Sequence, residues 1–201
     1  MLVRSWLYRA GVVALVTVGC ATPSLASDAA NAAVKGPRGF AGYNAWGGTG
    51  YGEPGYITAT TAFRVPKLRC GSADQAIAPS IRAYATAARL FVGCQGGKAH
   101  YWPQLEVSSH IKNYPAKAVR AGDTILLRLN TQNYHVSVTD ETRKFKVSRI
   151  GPSENRFNNS AWIGDAGWTN SRRRLERVPD FGTLTYSNTH VYGQTLRRWG
   201  G

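Results

Sequence analysis

The side chains best suited to bind metal or act as nucleophiles are four histidines (His100, His110, His135, His190) and three cysteines (Cys20, Cys70, Cys94). Their spacing supports neither use: a structural zinc site needs four ligands set in close pairs, and no such pairs occur here. No metal and no cofactor are implied. The chain also lacks a Gly-x-Ser-x-Gly elbow, a Gly-rich phosphate loop ending in Lys-Ser/Thr, and a His-Glu-x-x-His helix. What remains is chemistry of binding. Arg172, Arg173, Arg174 and Arg177 form either an anion-binding patch or a solvated loop, and Trp102, Trp162 and Trp168 either stack on sugar rings or fill a core.

Charge points the same way. Lys and Arg number 25 against 11 Asp and Glu, an excess that favours anionic partners. Arg4 and Arg9 precede an apolar run from Val12 to Val18, and Ser24-Leu25-Ala26 supplies small residues for a signal peptidase, so residues 1–26 are expected to be a cleaved signal peptide. A rival reading makes Cys20 a lipidated residue. The apolar run is shorter than the ~20 residues that span a bilayer. Cleavage leaves a secreted, periplasmic or surface protein of net charge about +12, whose partners would be anionic polymer, polysaccharide or a membrane surface, with no specific nucleic acid. Cys70 and Cys94 then remain as an even pair in an oxidising compartment and are expected to bond.

The elements that must position these groups read as strands. Residues 27–39 are an Ala- and Gly-rich lead-in, and a single domain is expected over 40–195, followed by a basic tail at 196–201. Within it Ile57, Ala59, Thr61, Phe63 and Val65 alternate, as do Ile125, Leu127 and Leu129, Val136 and Val138, Phe145 and Val147, and Leu184 and Tyr186. Turn chemistry such as Ala121-Gly122-Asp123 and Gly151-Pro152 separates the runs. The pattern implies an all-β, two-sheet antiparallel sandwich. Ser80 to Leu90 stays open between helix and strand: it is Ala-rich behind a capping Ser80, yet Ile81, Ala83 and Ala85 also fit one face of a strand.

An ordered series of segments resembles the glutamic peptidase (eqolisin) family, particularly its bacterial secreted members. It comprises Phe40-Ala41-Gly42-Tyr43, Phe63-Arg64-Val65-Pro66 before Cys70, Cys94-Gln95-Gly96-Gly97, then Tyr101 with Glu106 at the family's spacing. Val119-Arg120-Ala121-Gly122-Asp123, Asn159-Ser160-Ala161-Trp162-Ile163 and Asp180-Phe181-Gly182-Thr183-Leu184-Thr185-Tyr186 complete it. The resemblance implies a concanavalin-A-like sandwich with a cleft on a concave sheet. It also implies a mechanism in which a Glu carboxylate takes a proton from water while a Gln amide steadies the oxyanion.

The chain departs from that pattern at both catalytic positions. Ala161 stands where the family has its Glu before Trp-Ile, and Ala87-Ala88-Arg89-Leu90-Phe91 occupies the stretch that holds its Gln. Asp165 is four residues past Ala161, ~13 Å along a strand; Gln75 lies too early and Gln95 lies beyond Cys94. A degenerate site near Ala161, Ala87 and Phe91 is therefore expected, with no catalytic pair. Glu106 either still lines the cleft or is a solvated strand residue, and Asp180 is a turn or strand-end acid. Binding is the expected function, through Glu106, Trp102, Trp162 and the four arginines, with a peptide in the cleft as a further partner. Two alternatives stand beside it: an acid endopeptidase using a shifted Gln and another carboxylate, and a lectin-like carbohydrate-binding module.

Overall fold

Alternating residues of the kind found at Ile57–Val65 bury one side of a strand, and every one of the five is less than about 3 % exposed in the computed structural model, while Arg64 between them is exposed. The structure describes residues 40–46, 57–83, 85–151, 160–167, 179–191 and 195–199. The expected signal peptide and lead-in, the Arg172–Arg177 cluster and Trp168 lie outside them.

The strands, in chain order, are β1 (Phe40–Trp46), β2 (Thr58–Arg64), β3 (Gln75–Ala83), β4 (Thr86–Gln95), β5 (Lys98–Val107) and β6 (His110–Asn113), then β7 (Thr124–Asn130), β8 (His135–Asp140), β9 (Phe145–Arg149), β10 (Ser160–Gly167), β11 (Tyr186–Val191) and β12 (Thr195–Trp199). They form two antiparallel sheets, one of seven strands ordered β12-β1-β10-β3-β4-β5-β6 and one of five ordered β11-β2-β7-β8-β9. The expected sandwich is observed. Its core lies between the sheets: Ile77, Ile81, Leu90, Val92, Leu105 and Ile163 from the larger meet Phe63, Ile125, Leu127, Val136 and Val138 from the smaller.

Two sequence questions are answered by backbone pairing. Residues 80–83 end β3 and residues 86–90 begin β4, strand rather than helix, with Ile81 opposite Ala88; burial of Ile81, Ala83, Ala88 and Leu90 against the second sheet outweighs alanine's helical preference. Residues 196–199 of the expected tail, together with Thr195, instead form β12 and add an outer strand to β1, with Tyr43 opposite Arg198.

Local chemistry closes the hairpins. Gly96 and Gly97 join β4 to β5 with φ of 55° and 75°, the left-handed pair that a two-residue hairpin loop requires. Cys70 bonds Cys94 across a sequence separation of 24, with Cα atoms 5.5 Å apart. The bond ties the segment after β2 to the end of β4, as expected from the even cysteine count.

Candidate functional site

Strand alternation gives the seven-stranded sheet a second face, turned away from the core. Cross-strand register fixes who shares it. One row runs Trp162, Arg82, Ala87, Glu106 and Ile111, and the next runs Gly164, Ser80, Arg89, Gln104 and Asn113. Phe91 pairs with Trp102 one step further along. None of these belongs to the core cluster between the sheets, although Ala87, Phe91, Gln104 and Glu106 are all buried.

Glu106 is the only carboxylate whose side chain is described on this face, and it is not free. Its Oε2 accepts a hydrogen bond from Arg89 Nη2 in an ion pair whose side chains are 10 % and 16 % exposed. Burial, then the charge of Arg82, pushes the Arg89 guanidinium down to about 10, so it remains a cation at neutral pH. Beside it, Gln104 Nε2 donates to Asn113 Oδ1 at 2.6 Å. The Phe91 and Trp102 rings stack with centroids 3.9 Å apart and planes at 12°, and the His100 ring meets Trp102 edge-on at 6.3 Å. Gly93 makes room for this stack: a Cβ there would lie 2.6 Å from the Phe91 ring and 2.8 Å from Gln75 O.

Three polar atoms in this small area are buried without a partner: Arg89 Nε, Trp102 Nε1 and Gln104 Oε1. Each such atom costs about 1–3 kcal/mol when nothing replaces its water. A cluster of them marks a place where the polar requirement of the fold is unmet.

The expected site residues separate on this geometry. Ala87, Phe91, Glu106, Trp102 and Trp162 come together on the outer face. Ala161 does not: it is fully buried with Ile163 in the inter-sheet core. The reason is parity, since the β10 residue in the row of Arg82, Ala87 and Glu106 is Trp162. Asp165 pairs by backbone with Pro79, off both rows. Asp180 is exposed and pairs by backbone with Arg69 in an isolated bridge outside the named strands. Arg89, Gln104 and Asn113 were missed by sequence reasoning. Counting strand faces outward from Glu106 would have found Gln104, two residues earlier on the same strand.

A second group of titratable residues lies in the other sheet. Asp123 Oδ2 accepts from Arg120 N and from Arg143 Nε, both at 2.7 Å, and Asp140 Oδ1 accepts from Thr142 N at 3.0 Å and Arg143 N at 2.8 Å. Burial raises Asp140 above the ordinary carboxylate range and the neighbouring Asp123 adds to this, against the opposing amides of Arg143 and Thr142. Burial acts on Asp123 in the same sense, but the Arg120 amide and the Arg143 guanidinium outweigh it and hold that carboxyl below the usual range. These groups brace turns at one end of the sheet, and among the described residues no cluster of His, Cys, Asp and Glu is set to hold a metal.

With this geometry in view, the chain matches the family model described as the peptidase A4 family over residues 44–198. The chain belongs to the peptidase A4 family. Its fold is shared with solved members of the eqolisin group: scytalido-glutamic peptidase bound to a transition-state analog inhibitor is 13 % identical with a TM-score of 0.61. SCP-B, a member of the eqolisin family in complex with the tripeptide Ala-Ile-His, is 13 % identical with a TM-score of 0.59. Each comparison covers 82 % of this chain and 88 % of the other. At this identity they establish the sandwich alone. No curated protein sequence is significantly similar. Within the peptidase A4 family, this member carries the Arg89–Glu106 ion pair on the outer face of its larger sheet and Ala161 in its core.

Proposed function

We propose that the chain is an exported binding domain built on the glutamic-peptidase sandwich, without peptidase activity, that engages anionic polymers or surfaces through the outer face of its larger sheet. The observation that carries this reading is the Arg89–Glu106 ion pair. A general base must reach a water and take its proton, whereas the Glu106 carboxylate is engaged by a guanidinium. The amide best placed beside it, Gln104, donates to Asn113. The net charge of +14 over the full sequence supports an anionic partner.

One specific observation favours the peptidase alternative: Gln104 and Glu106 share a face of β5, an amide and a carboxylate two residues apart. Hydrolysis of casein or gelatin by pure mature protein between about pH 2 and 5, where a carboxylate base of this kind is used, separates the readings. No hydrolysis is expected. Cleavage that disappears in Glu106→Gln would make the chain an acid endopeptidase.

A further inference from the structure

We propose that the outer edge of β6 is a docking site for an extended acidic segment of another protein, which joins the larger sheet as an added strand. The inference goes beyond the reading of the outer face, because it engages the hydrogen-bonding edge of the sheet and not its face.

β6 ends the strand order of the larger sheet, and all four of its residues are exposed. Its register decides which backbone groups face outward. Ser108 and Ser109, with φ of 50° and 65°, form the two-residue turn between β5 and β6. Val107 and His110, which flank that turn, therefore exchange both ladder bonds, and the next pair, Glu106 and Ile111, exchanges none. The Tyr114 amide, donating to Pro103 O, continues the same alternation. The Ile111 amide and carbonyl thus point away from β5, and those of Asn113 do the same. The edge is fixed before any partner arrives: Ser109 N donates to Ala85 O, Arg149 Nη1 to His110 O and Gln104 Nε2 to Asn113 Oδ1. Little ordering then opposes an added strand.

Charge and apolar surface say what kind of strand fits. From Val107 to Gly122 the sequence holds three cations and no Asp or Glu, and from Thr142 to Gly151 it holds four cations and again no acid. The sandwich brings these two stretches together on one flank, where Arg149 reaches His110 O and Lys117 Nζ lies 5.9 Å from the Phe145 ring centroid. Ile111 and Ile150, 55 % and 72 % exposed, are the exposed large hydrophobics among the described residues. A Cβ on Gly151 would meet Val107, which sets Ile150 beside the β5–β6 turn. A second copy of β6 is a poor occupant, since it would set two copies of this acid-free flank against each other. A strand reading acidic, apolar, acidic answers every feature: its carboxylates lie opposite His110 and Lys112, its apolar side chain covers Ile111, and its backbone takes up the ladder. A polysaccharide supplies charge but no ladder.

The test is calorimetric titration of the protein at neutral pH in about 0.1 M salt, where charges more than ~10 Å apart are largely screened. The probes are the end-blocked peptide Glu-Val-Glu-Val-Glu-Val, its Lys-for-Glu counterpart, and the acidic peptide N-methylated at its valines. Binding of the acidic peptide at least about tenfold tighter than either control is expected, from lost charge pairing in one and lost ladder bonds in the other. The acidic peptide should also slow amide exchange at Ile111 and Asn113 about fivefold or more. Ile111→Pro removes only an outward amide, which an edge strand tolerates, and Lys112→Glu reverses one charge; each should weaken binding about fivefold or more. Arg128→Glu, exposed on β7 of the smaller sheet, should change it less than about twofold. Equal binding of the acidic peptide and its N-methylated form overturns the added strand, and that comparison needs no variant to fold. A loss in Arg128→Glu as large as that in Lys112→Glu overturns the site. Heparin binding that Lys112→Glu weakens, with no binding of the acidic peptide, overturns it in favour of a polysaccharide on this flank.

Discussion

At residue 161, a glutamate restored to match the glutamic peptidases would enter the apolar core rather than the outer face. Burying an unpaired carboxylate among Ile163, Ile81 and their neighbours is costly. Ala161→Glu is therefore expected to lower unfolding free energy by about 3 kcal/mol or more and to yield no acid proteolysis, as read by urea denaturation and a casein assay. A stable Ala161→Glu protein that cleaves casein would show that residue 161 reaches the outer face. The case shows what sequence could and could not deliver at this scale. Alignment on Trp162-Ile163 finds the right strand, but a one-residue shift moves a side chain to the opposite face, and only register with Arg82 and Ala87 decides which. Glu106 was legible because its spacing from Tyr101 is a property of one strand. Its partner Arg89 was not, because the ion pair joins residues 17 apart in sequence.

At the scale of elements, period-two alternation found most strands, since each buries one face against a single core. It failed where both faces are covered: β3 and β4 are buried almost throughout, so apolar and small residues run together and the strand period disappears. The Asp123–Asp140 pair, set at the ends of β7 and β8, gives these elements a pH dependence. Asp140, raised in the folded state, contributes stability below the unfolded aspartate value of ~3.9 and loses it as pH climbs through its folded value. Asp123, held low, contributes above ~3.9 and loses its share as pH falls through its own folded value. Asp140→Asn keeps an acceptor for Thr142 N and Arg143 N while replacing the unpartnered Oδ2 with a donor. It should stabilise the domain by about 1 kcal/mol at pH 7 and by little at pH 3. Chemical denaturation across that range checks it, and an equal effect at both ends would remove Asp140 as the titrating group.

For the whole molecule, two properties invite measurement. The Cys70–Cys94 bond closes a loop of about 25 residues, worth roughly 3 kcal/mol on the chain-entropy account; reduction is expected to lower Tm by about 6–12 °C for a domain of this size. An unchanged Tm after complete reduction would assign the bond no part in stability. The positive charge is the second property. If the Arg172, Arg173, Arg174 and Arg177 cluster is a site in its own right, changing all four to Gln will shift elution from heparin to lower salt than changing four distant cations. Coincident elution would make that cluster a solvated loop and the positive charge a bulk property of the molecule. Net charge was readable from composition, whereas the placing of Arg82 and Arg89 in neighbouring rows depends on the register of the larger sheet.

The pairing of β12 with β1 bears on how this protein can be handled. Thr195–Trp199 forms one border of the larger sheet, so a clone trimmed at residue 194 leaves the hydrogen-bonding edge of β1 uncovered, a template for chain-to-chain association. Purification handles and fusion partners therefore belong beyond residue 201 on a flexible spacer, and shortened versions should be screened for loss of solubility before any loss of binding is interpreted.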